Sequence, residues 1–171
     1  SRFCNHGRVD DDYFESVGSG KYETVGSNYR MPDMVAAVGC AQLSKVDDLI
    51  ASRRSVAARY RDGIADISGI EPHTSLENDS HVFQLFTIVF EDQENRQQTI
   101  ETLTDEKISC KIYWDPPLHE GTVFTTDEHL SLPNTESVSS RVLSLPMYPT
   151  LSFESVDRVV NSLRDAAVKF S

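Results

Sequence analysis

The apolar positions of this chain change their spacing several times, and each change marks an element. Val46, Leu49, Ile50, Val56, Ala57, Tyr60, Ile64 and Ile67 follow a helical period with Arg53 and Arg54 between them, which predicts an amphipathic helix. Gly69, after Ser68, suits the left-handed position beyond its end. The run from His81 to Phe90 is rich in β-branched and aromatic residues on both alternating faces, so it predicts a strand covered on both sides and central in a sheet. Asn95 to Glu106 carries Ile100 and Leu103 at helical spacing, and Ser109 to Trp114 reads as a second strand through Cys110, Ile112 and Trp114. Asp115-Pro116-Pro117 ends it in a stiff corner, because proline restricts the residue before it and donates no hydrogen bond. An irregular loop is expected over 120–134, a short helix from Glu136 to Leu143 and a strand from Ser144 to Met147. Ser152 then caps a last helix that buries Val156, Val159, Val160, Leu163, Ala167 and Phe170.

The N-terminal part is different in character. Residues 1–31 keep no period; the acidic run Asp10 to Asp12 and the glycines Gly18, Gly20 and Gly26 suit a loop or extended arm. At Pro32, with Asp33 in the first turn, a helix starts. The small and apolar residues Met34 to Val38 follow, and a helix apolar on more than one side is expected to be buried or to lie at an interface. The predicted organisation is an arm over 1–31 and a small α+β domain over 32–171, an α/β layer in which helices cover a small sheet.

Composition narrows the class of function. The 171 residues fit one domain. Sixteen basic residues against 27 acidic ones give a net charge of −11, which argues against nucleic acid or an anionic membrane surface as partner. No apolar stretch approaches the ~20 residues of a membrane helix. Three scattered cysteines, Cys4, Cys40 and Cys110, suggest free thiols in a reducing compartment, so the expected location is the cytoplasm. Eleven of the basic residues are arginines, a balance compatible with a salt-adapted, solvated surface.

Few residues carry recognisable chemistry. Gly18-Ser-Gly20-Lys21 lacks the full phosphate-loop pattern, since Tyr22 follows the lysine. The five histidines show no metal-ligand spacing. Asn28-Tyr29-Arg30 stands before a helix N-terminus, where free N–H groups, an amide and a guanidinium together suit an anion; alternatively Asn28 and Tyr29 shape a turn and Arg30 is a surface charge. His119 follows Pro116-Pro117-Leu118 and is presented from a stiffened corner, a placement used by substrate-contacting residues, although a solvated or structural histidine would look the same.

At these residues a resemblance enters. The stretch Val25-Gly-Ser-Asn-Tyr-Arg-Met-Pro-Asp-Met-Val-Ala-Ala-Val-Gly-Cys-Ala-Gln-Leu43, the later Pro116-Pro-Leu-His119, and Val142-Leu-Ser-Leu-Pro-Met-Tyr-Pro149 together resemble the DegT/DnrJ/StrS family of sugar aminotransferases. The likeness covers only the family's C-terminal part, beginning near Cys4-Asn-His-Gly-Arg8. It implies the C-terminal domain of an aspartate-aminotransferase-type fold, dimeric, with active sites at the subunit interface. It also implies pyridoxal 5'-phosphate (PLP), held by a lysine of the large domain, and transfer of an amino group, usually from glutamate, to a nucleotide-linked keto-sugar. Asn28 matches the asparagine that reaches across the dimer to the cofactor phosphate, Tyr29 and Arg30 match its site-lining neighbours, and His119 matches a histidine of the sugar pocket. None of Lys21, Lys45, Lys107, Lys111 and Lys169 lies in the context of the Schiff-base lysine, so this chain alone is expected not to transaminate and to supply no catalytic residue. Two other readings stay open: a non-catalytic relative or remnant used for binding or dimerisation, and an unrelated α+β module binding a metabolite.

Overall fold

A computed structural model describes Cys4 and residues 22–73, 81–121 and 131–170. The chain divides into two compact units, Ser1–Val46 and Asp47–Ser171. Most of the expected arm and of the expected loop over 120–134 lies outside the described residues.

In the first unit, helix α1 runs over Asp33–Leu43 with Pro32 at its N-cap in extended conformation. Met34, Val35, Val38 and Leu43 are all exposed and α1 buries no residue. Its apolar side chains are therefore not consumed by a core of its own unit.

The second unit is built on α2 (Val46–Ile64), β1 (Ile70–Pro72), β2 (Phe86–Phe90), α3 (Gln93–Asp105), a 3-10 turn (Leu118–Glu120), α4 (Pro133–Ser139), β3 (Val142–Leu145) and α5 (Phe153–Ala167). The three strands form one antiparallel sheet in the order β1-β2-β3, with Ile70 opposite Phe90 and Ile88 opposite Leu143. The core face of the sheet carries Phe86, Ile88, Phe90, Leu143 and Leu145, packed with Val56, Tyr60 and Ile64 of α2 and Val156, Val160 and Leu163 of α5. Tyr60 stacks on Phe86 with ring centroids 4.9 Å apart, and its hydroxyl donates to the Pro146 carbonyl at 3.0 Å. Burial pushes the Tyr60 phenol above its ordinary pKa, so it stays a neutral donor. At the other end of α5, Ser152 accepts from the Ser155 N–H as its sequence position predicts.

Several boundaries depart from expectation for identifiable reasons. β2 starts at Phe86 rather than His81, because arginines of α2 take the carbonyls that a neighbouring strand would need: Arg53 donates to Phe83 and Gln84, and Arg54 to His81. Phe83 has φ 48° and its N–H donates to His81 Nδ1. β2 is central, but only Phe86, Ile88 and Phe90 are buried; Thr87 and Val89 on the other face are half-buried, so it is not fully covered on both sides. The expected strand from Ser109 to Trp114 reduces to one bridge, in which Lys111 and Ser144 exchange backbone hydrogen bonds at 3.0 and 2.8 Å. Toward Ser109 the ladder stops because the position opposite it is Pro146, which has no N–H to offer. The same proline shifts β3 two residues earlier than expected, to Val142–Leu145, and α4 correspondingly covers Pro133–Ser139. α3 begins at Gln93 because Asp92 caps it, accepting from the Asn95 N–H. The missed strand β1 has three residues, too few for a period to be read. α2 ends at Ile64, and Gly69 at φ 79° serves the turn into β1 instead.

Helices α2 and α5 meet at Gly63, where an added Cβ would lie 2.8 Å from Val160 Cγ2. Val160 is buried and β-branched, so it has little room to yield. Gly63→Ala is expected to destabilise the protein by about 1 kcal/mol, overpacking outweighing the gain in helix propensity. In chemical denaturation the double variant with Val160→Ala should be more stable than the sum of the two single effects.

Candidate functional site

On the second unit, beside the open face of the sheet, lies a hollow of about 1020 Å³. Its walls are Phe83, Leu85, Phe86 and Thr87 around β2, Val138, Ser139 and Val142 at the end of α4 and the start of β3, and Tyr113, Trp114, Leu118 and His119 on the corner segment. The lining is mainly apolar with a few polar groups, the usual make-up of a small-molecule site. Tyr113 and Trp114 meet edge to face at 5.7 Å, and both rings are exposed.

His119 is held as its sequence context predicts. Pro117 is extended, and the Glu120 and Gly121 N–H groups donate back to Pro117 and Leu118 carbonyls, closing the 3-10 turn. The His119 side chain is 11% exposed and its Nε2 lies 3.3 Å from Glu136 Oε1. That oxygen also accepts the Leu132 N–H at 2.6 Å, at the start of α4. A histidine facing a carboxylate has its tautomer fixed by that partner, which leaves Nδ1 for other work. Glu120 brings a third ligand-type atom within 4.8 Å of those of His119 and Glu136, yet Glu136 already accepts from Leu132 and faces His119.

Beneath the corner sits Arg96 of α3, 3% exposed. One guanidinium nitrogen donates to Asp115 Oδ2 at 2.7 Å and another to the Ser139 carbonyl at 3.1 Å, while Nε has no partner among the described residues. Sequence reasoning missed this residue. Its only signal is an arginine on a helix face that also carries Thr99 and Leu103, all three buried, and an arginine so placed needs a built partner.

Asn28, Tyr29 and Arg30 lie in the first unit, exposed, four to two residues ahead of Pro32. The Tyr29 N–H donates to the Cys4 carbonyl at 3.0 Å, which ties this turn to the chain's start. An exposed amide and guanidinium just ahead of a helix start suit an anion presented from outside the chain.

This architecture is shared by solved PLP-dependent aminotransferases. Helicobacter pylori PseC, described as an aminotransferase involved in the biosynthesis of pseudoaminic acid, superposes with TM-score 0.81 at 23% identity, covering 99% of this chain and 45% of PseC. DesI, solved in the presence of its TDP-sugar product, gives 0.78 at 26% identity over 98% of this chain and 42% of its own. The fold is thus the α/β C-terminal domain of that class. The chain belongs to the DegT/DnrJ/EryC1/StrS aminotransferase family, whose model matches residues 1–164. The dTDP-3-amino-3,4,6-trideoxy-alpha-D-glucose transaminase of Micromonospora megalomicea subsp. nigra is 34% identical over 151 residues, which cover 83% of this chain and 39% of the relative. The chain therefore spans about two fifths of the length of the curated relatives it matches.

Because Glu136 serves both His119 and the first turn of α4, Glu136→Ala should destabilise the protein by about 1 kcal/mol, the loss of a charged acceptor. Glu136→Gln, which keeps an acceptor oxygen, should cost less than half of that in the same denaturation assay.

Proposed function

We propose that this chain is the C-terminal region of a PLP-dependent aminotransferase that transfers an amino group from glutamate to a nucleotide-linked keto-sugar. In this reading residues 1–31 are an arm descending from the large domain and 32–171 are the C-terminal domain. The observation that carries it is the His119–Glu136 pair, presented from a diproline corner into a large, mainly apolar hollow in a chain of this family. With Nε2 against Glu136, His119 Nδ1 is the nitrogen that meets a sugar hydroxyl, and Trp114 and Leu118 supply apolar surface beside it.

Asn28 donates its amide to the cofactor phosphate of a companion subunit, with Tyr29 and Arg30 lining the same site. Their exposure supports that role, because a donor aimed at another subunit must face outward. The exposed apolar side chains of α1 are the surface on which the homodimer closes, since a patch of that kind is stable only when covered. Bound PLP supplies the electron sink that labilises bonds at the amino-bearing carbon; this chain's residues bind and orient. The Schiff-base lysine is assigned to the large domain, so these 171 residues alone do not transaminate. Cys40 and Cys110 are free thiols, which supports a cytoplasmic location.

The reading is tested by joining this chain to a lysine-bearing large domain and adding PLP. Absorbance near the visible edge and amino transfer to a nucleotide-linked keto-sugar are expected; their absence in a folded protein favours the binding or dimerisation domain instead. In that dimer Asn28→Ala should weaken PLP retention by about 1–3 kcal/mol, the loss of one donor to a charged acceptor, and unchanged affinity in a PLP titration would reject the role.

A further inference from the structure

We propose that Arg96 is the positioning residue of the His119 site. Its two occupied nitrogens join the two segments whose register determines where His119 stands. One partner, Asp115, is four residues before His119 and is separated from it by Pro116 and Pro117, whose fixed φ angles transmit an anchor rather than absorb it. The other partner, the Ser139 carbonyl, lies in the last turn of α4, three residues after Glu136. The Ser139 hydroxyl in turn donates to the Glu136 carbonyl at 3.0 Å. Arg96, Asp115, His119, Glu136 and Ser139 thus form a closed circuit, in which the 3.3 Å contact between His119 and Glu136 is the closing link.

The chemistry of the guanidinium explains why an arginine is needed. Two acceptors in different directions, one charged and one neutral, call for a planar fork rather than the point charge of a lysine. Burying that group is costly, and its unpartnered Nε shows that pairing does not fully offset the cost. A bridge of this kind contributes less to stability than a well-packed apolar side chain would, and more to holding two segments in one register. Arg96 is not among the residues that line the hollow, so it acts through His119 and Glu136 and not on a ligand. The consequence for function rests on the reading of His119 as a sugar-pocket residue. If that holds, Arg96 sets how tightly the keto-sugar is held.

The test uses the full polypeptide with histidines carrying 13C in the ring, and the variants Arg96→Lys and Asp115→Asn, the second chosen because it leaves the buried arginine in place. Each variant should move the His119 ring resonances, and the double variant should move them little further than either alone. In the enzyme with its large domain, both variants should raise KM for the keto-sugar by about threefold or more while kcat falls by less than about twofold, since uniform binding and not the chemical step is affected. Unmoved His119 resonances in a folded Asp115→Asn protein overturn the proposal, as does an equal fall in kcat at unchanged KM. His119→Ala separates the two readings: if it leaves KM for the keto-sugar unaltered, the sugar-pocket assignment fails, while the ring resonances still decide the role of Arg96.

Discussion

The alternation along β2 is the constraint from which the rest of the second unit follows. Phe86, Ile88 and Phe90 are buried against helices, while Thr87 and Val89 face the other way and are half-buried. Successive strand residues must point to opposite faces, so filling one face with the side chains of α2 and α5 leaves the second to be closed by whatever the remaining chain supplies. That remainder is the corner from Tyr113 to Gly121 and the short helix α4, which stand over the sheet without filling the space beneath them. The hollow, with Thr87 and Val142 contributing from the sheet itself, is a consequence of a three-stranded sheet that has helices enough for one face.

Arginine side chains also take backbone carbonyls, at helix ends as well as beside the sheet. Arg53 and Arg54 hold the segment before β2, Arg141 reaches the carbonyls of Phe90 and Ser137, Arg158 takes that of Glu106, and Arg164 takes that of Gly63. With Arg96 on Ser139, more than half of the eleven arginines of the sequence bind backbone oxygen. The excess of arginine over lysine therefore has a structural use. The carboxylate pairs add less: Arg59–Asp157 and Arg164–Asp66 lower the carboxyl pKa values through hydrogen bonds, but both pairs are well exposed, where solvent screens them.

What could be read from the sequence follows the same division. Long periodic segments declare themselves: α2 from Val46 and α5 from its Ser152 cap are where their apolar spacing puts them. Short elements depend on partners distant in sequence and are not legible. β1 has three residues, and the strand expected after Ser109 keeps only the Lys111–Ser144 bridge, a contact across 33 residues of chain. The corner that presents His119 is legible because two prolines precede it, a local signal. Glu136 and Arg96 are not, since what makes them important is contact across 17 and 43 residues of chain.

The hollow offers a mainly apolar surface with a few polar groups, among them His73, His81 and His119. Of its polar lining groups, His119 is engaged with a carboxylate, and among the described residues no lysine, aspartate or glutamate lines it. Lys169, on the far side of the core, donates to Thr102. A general base must reach the proton it removes, and a carboxylate-tethered imidazole at the rim of an apolar hollow is better placed to orient a hydroxyl than to travel. In the proposed function Asn28 and Arg30 on the first unit likewise act as donors and not as nucleophiles. In the proposed function both units contribute recognition surface, the reacting amine comes from outside the chain, and the choice of what binds is made in part by the side chains within it.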